Sequence, residues 1–214
     1  MPGTSLQITW NAEYELRKAK SNKLVLLLHG FQQSGSLIYR LLEDAIDSSF
    51  NLLAPNAPFP IPQKTGSGYR VSYTWYFFDP ETDTYFYDMS LAIEYIEALL
   101  KNLDLKDKDV TVIGYSQGGY LAPFVAERLS AVSQVIGVNC RFRDEALTGP
   151  LPFRLDAIHG AADVLVDPKR AQRCHEAILE NGGEGVFRLI EGGGHGITPE
   201  VRHQISTLLR AANP

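Results

Sequence analysis

The chain has 214 residues, of which 44% are hydrophobic and 21% charged, a composition typical of a globular protein with a sizeable core and not of a disordered one. The 20 basic and 25 acidic residues give a net charge of −5. Without a cluster of lysines or arginines, this balance argues against a nucleic-acid or anionic-membrane binder. We expect one domain over residues 1–214.

The sequence shows no sign of secretion, membrane insertion or a bound metal. Residues 1–5 are neither basic nor strongly apolar, so we expect no cleaved signal peptide. The longest strongly apolar run, Leu24–Leu28, is too short to cross a bilayer. Cys140 and Cys174 are far apart and lack metal-ligand spacing, which predicts reduced thiols and a cytoplasmic location.

The first half of the chain alternates between predicted strands and helices. Its hydrophobic pattern predicts an opening hairpin, a buried strand, a helix, a second buried strand and an amphipathic helix. The segments are Leu6–Trp10 with Glu13–Lys18, then Lys23–Leu28, Ser36–Ile46, Phe50–Ala54 and Met89–Leu103. Between the last two, a proline-rich turn leads into a long stretch, ending at Tyr85, that we expect to be irregular.

The second half continues the alternation. Four strands are predicted at Val110–Ile113, Val135–Val138, Leu155–Ile158 and Val186–Ile190, and three helices at Tyr120–Ser130, Pro168–Asn181 and Pro199–Ala212. This order predicts an α/β fold with a mostly parallel central sheet and helices on both faces. Such sheets bind ligands at the carboxyl ends of their strands.

Residues 114–118 read Gly-Tyr-Ser-Gln-Gly at the junction of a predicted strand and a predicted helix. In so tight a turn the middle residue is strained and its side chain stands clear of the sheet, while a Cβ at either glycine would clash. The N–H groups that begin the helix favour negative charge nearby. This context predicts Ser116 as a nucleophile; the plain alternative is a Gly-Ser turn without chemistry.

A serine hydroxyl needs a base within hydrogen-bond reach, and the base needs an orienting group. His195 lies in a glycine-rich loop, residues 192–196, directly after the last predicted strand. The loop's freedom could bring the imidazole over Ser116, which makes His195 the predicted base. The other histidines are expected to pack or to face solvent: His29, His159, His175 and His203.

Three aspartates compete for the orienting role. Asp163 comes first out of the strand that ends near residue 158 and is the favoured choice. Asp167 precedes Pro168 and resembles a helix N-cap. Asp144, after the preceding strand, is a more distant rival.

A tetrahedral intermediate needs hydrogen-bond donors directed at its oxyanion. The backbone N–H of Gln117, next to the nucleophile, is the first predicted donor. The second is expected from Phe31 or Gln32, in the loop that follows the 23–28 strand. The alternative reading of that loop is an ordinary strand-to-helix turn.

Residues 69–87 are dense in aromatic side chains and could form the wall of an apolar substrate pocket. The alternative is that most of these rings pack on one another and hold the segment down. Trp75 is the first candidate for substrate contact, and Tyr115, beside the nucleophile, is the second. Arg141 and Arg143 could meet an anionic group, although solvated arginines are the commoner outcome.

These motifs resemble the serine α/β-hydrolases of the carboxylesterase, lysophospholipase and acyl-protein thioesterase group and neighbouring small serine hydrolases. The matching segments are in order along nearly the whole chain: residues 28–31, 54–58, Trp75 with Asp79, 114–119, 159–163 and 194–195. The resemblance implies an α/β-hydrolase fold with no separate lid domain, a triad in the order Ser116, Asp163 and His195, and no cofactor. It also implies ester or thioester substrates. Residues 137–143 depart from the Ser-Gly and Leu-Pro of the thioesterase branch, so acyl specificity does not carry over.

The leading hypothesis is therefore a serine esterase or thioesterase acting on a small-molecule ester or acyl-thioester. An amidase or peptidase on the same triad is the first alternative, although no acidic pair suited to an amine stands out. A catalytically silent binding protein is the second, against which an ordered Ser, Asp and His set argues. Phosphate-binding motifs of nucleotide-binding proteins are absent from the sequence. Acyl length, leaving group and oligomeric state stay open.

Overall fold

A computed structural model describes residues 9–79 and 81–212. In chain order its strands are β1 (Tyr14–Arg17), β2 (Lys23–Leu28), β3 (Asn51–Pro55), β4 (Phe59–Thr65), β5 (Gly68–Thr74), β6 (Phe77–Asp79), β7 (Thr84–Tyr87), β8 (Asp109–Tyr115), β9 (Val132–Val138), β10 (Arg154–Gly160) and β11 (Phe187–Ile190). Its α-helices are α1 (Gly35–Leu42), α2 (Ser90–Asn102), α3 (Gln117–Arg128), α4 (Pro168–Glu180) and α5 (Pro199–Ala212).

Within the described residues the central sheet has seven strands, in the order β1-β3-β2-β8-β9-β10-β11. All neighbouring pairs are parallel except β1 and β3, which run antiparallel. The predicted parallel α/β sheet is confirmed. β1 lies within the second half of the predicted opening hairpin, and most of the first half, residues 6–8, lies outside the described residues.

Both faces of the sheet are covered, which explains why β2 reads as an unbroken apolar run. Leu24, Leu26 and Leu28 point into one cluster with residues of α2, α3 and α4. Val25 and Leu27 point to the opposite face, where α1 and α5 supply the partners. Helices on both faces are therefore confirmed, and all five of these β2 residues are fully buried.

The stretch from residue 59 to 87 is not irregular, which corrects that prediction. β4 pairs with β5, and β6 with β7, in two separate antiparallel hairpins. Pro60 and Pro62 obscured the first strand in the sequence, since proline suits a strand only where no ladder partner needs its N–H. We call residues 59–87 the aromatic arm.

The carboxyl ends of the central strands lie level with one another. Residue Leu28 of β2 pairs with Gly114 of β8, and Tyr115 pairs with Val138 of β9. The N–H of Ser116 continues the ladder by donating to the Val138 carbonyl at 2.9 Å. The loops after these strands therefore start from one edge of the sheet.

The turn from β8 into α3 leaves no space for side chains at its two glycines. A Cβ on Gly114 would lie 2.2 Å from the Gly118 carbonyl oxygen, and a Cβ on Gly118 would lie 2.2 Å from the Leu28 oxygen. Both clashes are with backbone atoms, which cannot rotate away. Backbone contact between β2, β8 and α3 thus fixes where the turn lies.

We expect Gly114→Ala to lower the free energy of unfolding by about 2–3 kcal/mol, because the turn must move to admit the methyl group. Gly149→Ala is the matched control: nothing lies within 4 Å of its added Cβ, so its effect should stay within about 0.5 kcal/mol. Urea unfolding followed by circular dichroism measures both. Equal stabilities of the two variants would contradict the packing described for the turn.

Candidate active site

Ser116 occupies the strained corner between β8 and α3. Its backbone dihedrals are φ 49° and ψ −116°, outside the regions that a non-glycine residue ordinarily adopts. Hydrogen bonds on both sides hold it there: its N–H bonds to Val138, and its carbonyl accepts from Gly119 and Tyr120. These backbone hydrogen bonds therefore hold Ser116 in its strained conformation.

His195 joins Ser116 to Asp163. The imidazole Nε2 lies 3.0 Å from the Ser116 Oγ, and Nδ1 lies 2.7 Å from the Asp163 Oδ2. Because an ionised carboxylate only accepts, Nδ1 carries the proton and Nε2 is left to accept from the hydroxyl. The structure thus brings together the three residues that the sequence singled out.

Asp163 is a buried carboxylate that remains ionised. Burial on its own raises the pKa of this carboxyl, but hydrogen bonds from His195 and from the backbone N–H groups of Val166 and Leu165 outweigh it. The net effect is a pKa below the usual value. The two N–H groups lie 3.1 and 2.9 Å from Oδ1, which leaves Oδ2 directed at the imidazole.

The rival aspartates have other partners. Asp167 caps α4, accepting from the Lys169 N–H at 3.0 Å, as its position before Pro168 predicted. Asp144 pairs with Arg141 at 3.4 Å. Asp163 is thus the one of the three that His195 contacts.

His159 shares the same carboxylate, which the sequence did not reveal. Its Nε2 lies 3.2 Å from the Asp163 Oδ2 and 3.0 Å from the Val166 carbonyl. Burial lowers the pKa of His159, so the neutral ring is favoured there. The i, i+4 spacing of His159 and Asp163 at the end of β10 is the signal that could have indicated this contact.

Asn139 holds the loop that carries His195. It follows β9 with φ 48° and is fully buried. Its Oδ1 accepts from the Gly160 N–H at 2.9 Å, and its Nδ2 donates to the carbonyls of Gly196 and Gly194 at 3.1 and 3.4 Å. Asparagine tolerates this left-handed conformation better than most residues, which suits it to this position directly after β9.

Tyr115 contacts the same loop and lies outside the cavity beside Ser116, a correction to the expectation that it binds substrate. Its hydroxyl donates to the His195 carbonyl at 3.0 Å, and the two rings lie 5.4 Å apart. Only 7% of the residue is exposed. Tyr115 therefore packs against the loop that carries His195 and does not line the cavity.

Trp75 also lies outside the cavity, which corrects the other expected substrate contact. The side chain is fully buried, its Nε1 donates to the His29 carbonyl at 2.8 Å, and its ring lies 4.9 Å from the His29 ring. His29 in turn accepts from the Ala57 N–H at 3.0 Å. Sequence alone could not tell which aromatic residues of the arm face inward, because both faces of its hairpins carry rings.

Two of the three residues predicted to supply oxyanion donors border the cavity that holds Ser116. Gln117 begins α3, and Phe31 follows β2; both border the cavity that holds Ser116. Within residues 9–79 and 81–212, neither the Phe31 nor the Gln32 N–H donates to a protein acceptor. Phe31 borders the cavity, whereas Gln32, with φ 57°, does not.

The side chain of Gln117 ties the aromatic arm to the serine turn. Its Oε1 accepts from the Trp75 N–H at 3.1 Å, while Nε2 donates to the Tyr76 carbonyl at 2.9 Å and to the Thr74 hydroxyl at 2.8 Å. One residue thus places its backbone beside the serine and its side chain on the wall of the cavity. The sequence predicted only the first of these.

The cavity beside Ser116 has a volume of about 600 Å³, within the range of small-molecule sites. Its aromatic lining is Phe31, Tyr76, Phe77, Phe78, Tyr85 and Tyr120. Its charged lining is Arg141, Arg143, Arg170, Asp83 and Glu145. The aromatic arm therefore supplies one wall, and the segment after β9 supplies another.

No group of three or more potential metal ligands occurs among the described residues. Cys140 and Cys174 are free and buried. Burial raises the pKa of the Cys140 thiol, which disfavours its reactive thiolate form. None of the helices in the described ranges has the length and apolar character that a membrane span requires.

The layered sheet, the strained turn and the order of the residues around it define an α/β-hydrolase. Residues 11–213 match the family described as phospholipase/carboxylesterase, and the chain belongs to that family. It is 28% identical over 113 residues to the esterase YpfH of Escherichia coli, an alignment that covers 51% of this chain and 47% of the relative. The chain thus matches about half the length of that relative.

Solved structures share the fold. Acyl-protein thioesterase 2 of Zea mays superposes with a TM-score of 0.70 at 20% identity, covering 94% of this chain and 98% of that one. A carboxylesterase from Mesorhizobium loti gives 0.69 at 20% identity, with 94% of each chain covered. These likenesses show the fold.

We expect Asn139→Asp to lower kcat for a p-nitrophenyl ester by about tenfold or more, because a small displacement of His195 is costly. Aspartate keeps the size, the acceptor for Gly160 and the tolerance of positive φ, but loses both donors to the loop. Asn181→Asp, at the exposed end of α4, is the matched control and should behave as wild type. Wild-type kcat in the Asn139 variant would show that other contacts hold the loop.

The free energy of unfolding should fall between about pH 7 and about pH 4, in part through His29. Burial lowers its pKa from 6.5 to about 4, so the unfolded chain takes up a proton that the folded protein resists. The contribution is present above pH 6.5, amounts to about 3 kcal/mol, and is lost as the pH falls. His159 and His175 act in the same direction.

Urea unfolding at graded pH should therefore give a shallower pH dependence for His29→Gln than for wild type. The slope is the readout, since the substitution also changes the acceptor for the Ala57 N–H. Identical slopes in the two proteins would contradict the assignment of the buried, neutral imidazole.

Proposed function

We propose that this chain is a serine hydrolase that cleaves carboxylic ester or thioester bonds of small molecules through Ser116, His195 and Asp163. The observation that carries the proposal is the continuous hydrogen-bonded path from the Ser116 hydroxyl through His195 to a buried carboxylate. The membership of the phospholipase/carboxylesterase family supports the same class of substrate. We also propose that residues 1–214 form one domain.

In the first half of the reaction, the Ser116 Oγ attacks the acyl carbon while Nε2 of His195 accepts the hydroxyl proton. The resulting imidazolium keeps the proton on Nδ1 and donates a hydrogen bond to Asp163, whose negative charge stabilises the imidazolium. The tetrahedral oxyanion accepts from the N–H groups of Gln117 and Phe31. Return of the electron pair expels the leaving alkoxide or thiolate, to which His195 delivers its proton, and an acyl-serine ester remains.

Water completes the cycle by the same steps. His195 accepts a proton as the water oxygen attacks the acyl carbon, and a second oxyanion forms at the same donors. Its collapse breaks the bond to Ser116, which regains its proton from His195. The products are a carboxylic acid and an alcohol or thiol.

Two features of the site favour an esterase or thioesterase over a catalytically silent binding protein and over an amidase. A silent binding protein does not require a serine at φ 49°, and strained residues of this kind cluster at functional sites. An amidase would need to place and protonate an amine. The carboxylates on the cavity are Asp83 and Glu145, and Glu145 is already paired with two arginines.

The buried free thiols suit a reducing compartment, so we propose a cytoplasmic location.

Ser116→Ala should reduce turnover of short p-nitrophenyl esters by about 10⁴-fold or more, because it removes the nucleophile and with it the covalent path. Asp163→Asn should also reduce turnover steeply, since the amide no longer fixes the imidazole tautomer. Ser130→Ala, at the far end of α3, is the matched control and is exposed. Undiminished turnover in the Ser116 variant would overturn the proposal.

A further inference from the structure

The charged wall of the cavity beside Ser116 is richer in cations than its carboxylates can match. Three arginines border it, Arg141, Arg143 and Arg170, against the two carboxylates of Asp83 and Glu145. We call the three residues the arginine wall. Two of them belong to the segment after β9 that departs from the thioesterase sequences the chain otherwise resembles.

Arg141 and Arg143 share the Glu145 carboxylate, and Arg141 also pairs with Asp144 at 3.4 Å. Arg141 bonds to both Glu145 oxygens, at 2.9 and 3.1 Å, and Arg143 Nε bonds to one of them at 3.0 Å. Arg143 also donates from Nη1 to the Tyr85 hydroxyl and lies over its ring, 5.6 Å from the centroid. Its Nη2 has no acceptor among the described residues, so donors remain free on a guanidinium whose orientation is fixed.

Arg170 carries a charge with no counterpart. It lies in the first turn of α4 and is exposed, and its side chain makes no ion pair or hydrogen bond to the described part of the chain. Asp83, the other carboxylate on the wall, is exposed at the turn between β6 and β7 and is likewise unpaired. The five N–H donors of Arg170 are therefore open to a ligand in the cavity.

Aromatic and cationic groups together suit a substrate with an apolar body and an anionic end. A carboxylate or phosphate accepts from a guanidinium in a planar, paired geometry, and such charge-assisted bonds are about twice as strong as neutral ones. A neutral acyl chain would offer the guanidinium donors no acceptor. The contact between Arg143 and Tyr85 places the guanidinium charge beside the aromatic arm.

We propose that the arginine wall selects substrates that carry an anionic group, with Arg170 and Arg143 as the residues that bind it. The inference rests on the proposed ester or thioester hydrolysis at Ser116 and adds the charge of the substrate. The anion could belong to the acyl group, as a terminal carboxylate, or to the leaving group, as a phosphate. A carboxylate and a phosphate both offer anionic oxygen atoms, which the guanidinium groups of the arginine wall can bind.

Two matched substrate pairs separate these sources. Monoethyl glutarate and ethyl valerate differ in a carboxylate against a methyl group at the end of the acyl chain, and acid release follows their hydrolysis. Valeryl-coenzyme A and S-valeryl-pantetheine share the whole pantetheine thiol and differ in the phosphorylated adenosine group of the former, and free thiol is measured. The readout is the ratio of kcat/KM for the anionic member to that for the neutral member.

We expect wild type to favour the anionic member of at least one pair by about tenfold, which corresponds to one charge-assisted interaction. Arg170→Gln should lower that ratio by about tenfold, and Arg170→Lys should lower it less. Arg143→Gln should act in the same direction. Arg188→Gln, on β11 and outside the cavity lining, is the control and should leave the ratio as in wild type.

Raising the salt concentration should reduce the wild-type preference, since part of the interaction is exposed to solvent. Ratios near one in both pairs, or a ratio unchanged by Arg170→Gln, would overturn the inference. Labelling of Ser116 by a fluorophosphonate keeps this failure distinct from failure of the proposed function. A protein that is labelled and hydrolyses the neutral esters, yet shows no preference, contradicts the arginine wall alone.

Discussion

The close contact of backbone with backbone where β8 turns into α3 is the constraint on which the site depends. With 2.2 Å between a Cβ at Gly114 or Gly118 and the facing carbonyl oxygens, neither position admits another residue without displacement. Because β2, β8 and α3 meet at this point, the core that buries the sheet also fixes the position of Ser116. Packing energy thus maintains the φ of 49° at that residue.

The histidine is placed by different means. Its loop is rich in glycine and contributes little stiffness of its own, so neighbouring side chains supply it. Asn139 bonds to the loop at 3.1 and 3.4 Å, Tyr115 bonds to the His195 carbonyl at 3.0 Å, and Asp163 holds the ring at 2.7 Å. The serine is therefore fixed by its own backbone, whereas the histidine is fixed by residues from three strand ends.

The sequence predicted the central sheet and the Ser116, Asp163 and His195 constellation because both leave local marks: continuous apolar runs for the buried strands, and glycines or a strand end beside each reactive residue. It did not predict the hairpins of the aromatic arm, where prolines mask the strand pattern. Nor did it predict the direction of Trp75, which hydrogen bonds to His29 decide. The contacts of Asn139, His159 and the Gln117 side chain depend on tertiary proximity, which local features such as the i, i+4 spacing of His159 and Asp163 do not determine.

Covalent labelling of the folded protein by a fluorophosphonate probe tests the central claim most directly, because the probe reacts with an activated serine and mimics the first step of the proposed reaction. Intact-mass spectrometry and peptide mapping should find one adduct, on Ser116, and none in Ser116→Ala. An unlabelled wild-type protein, or an adduct on another residue that persists in Ser116→Ala, would contradict the account.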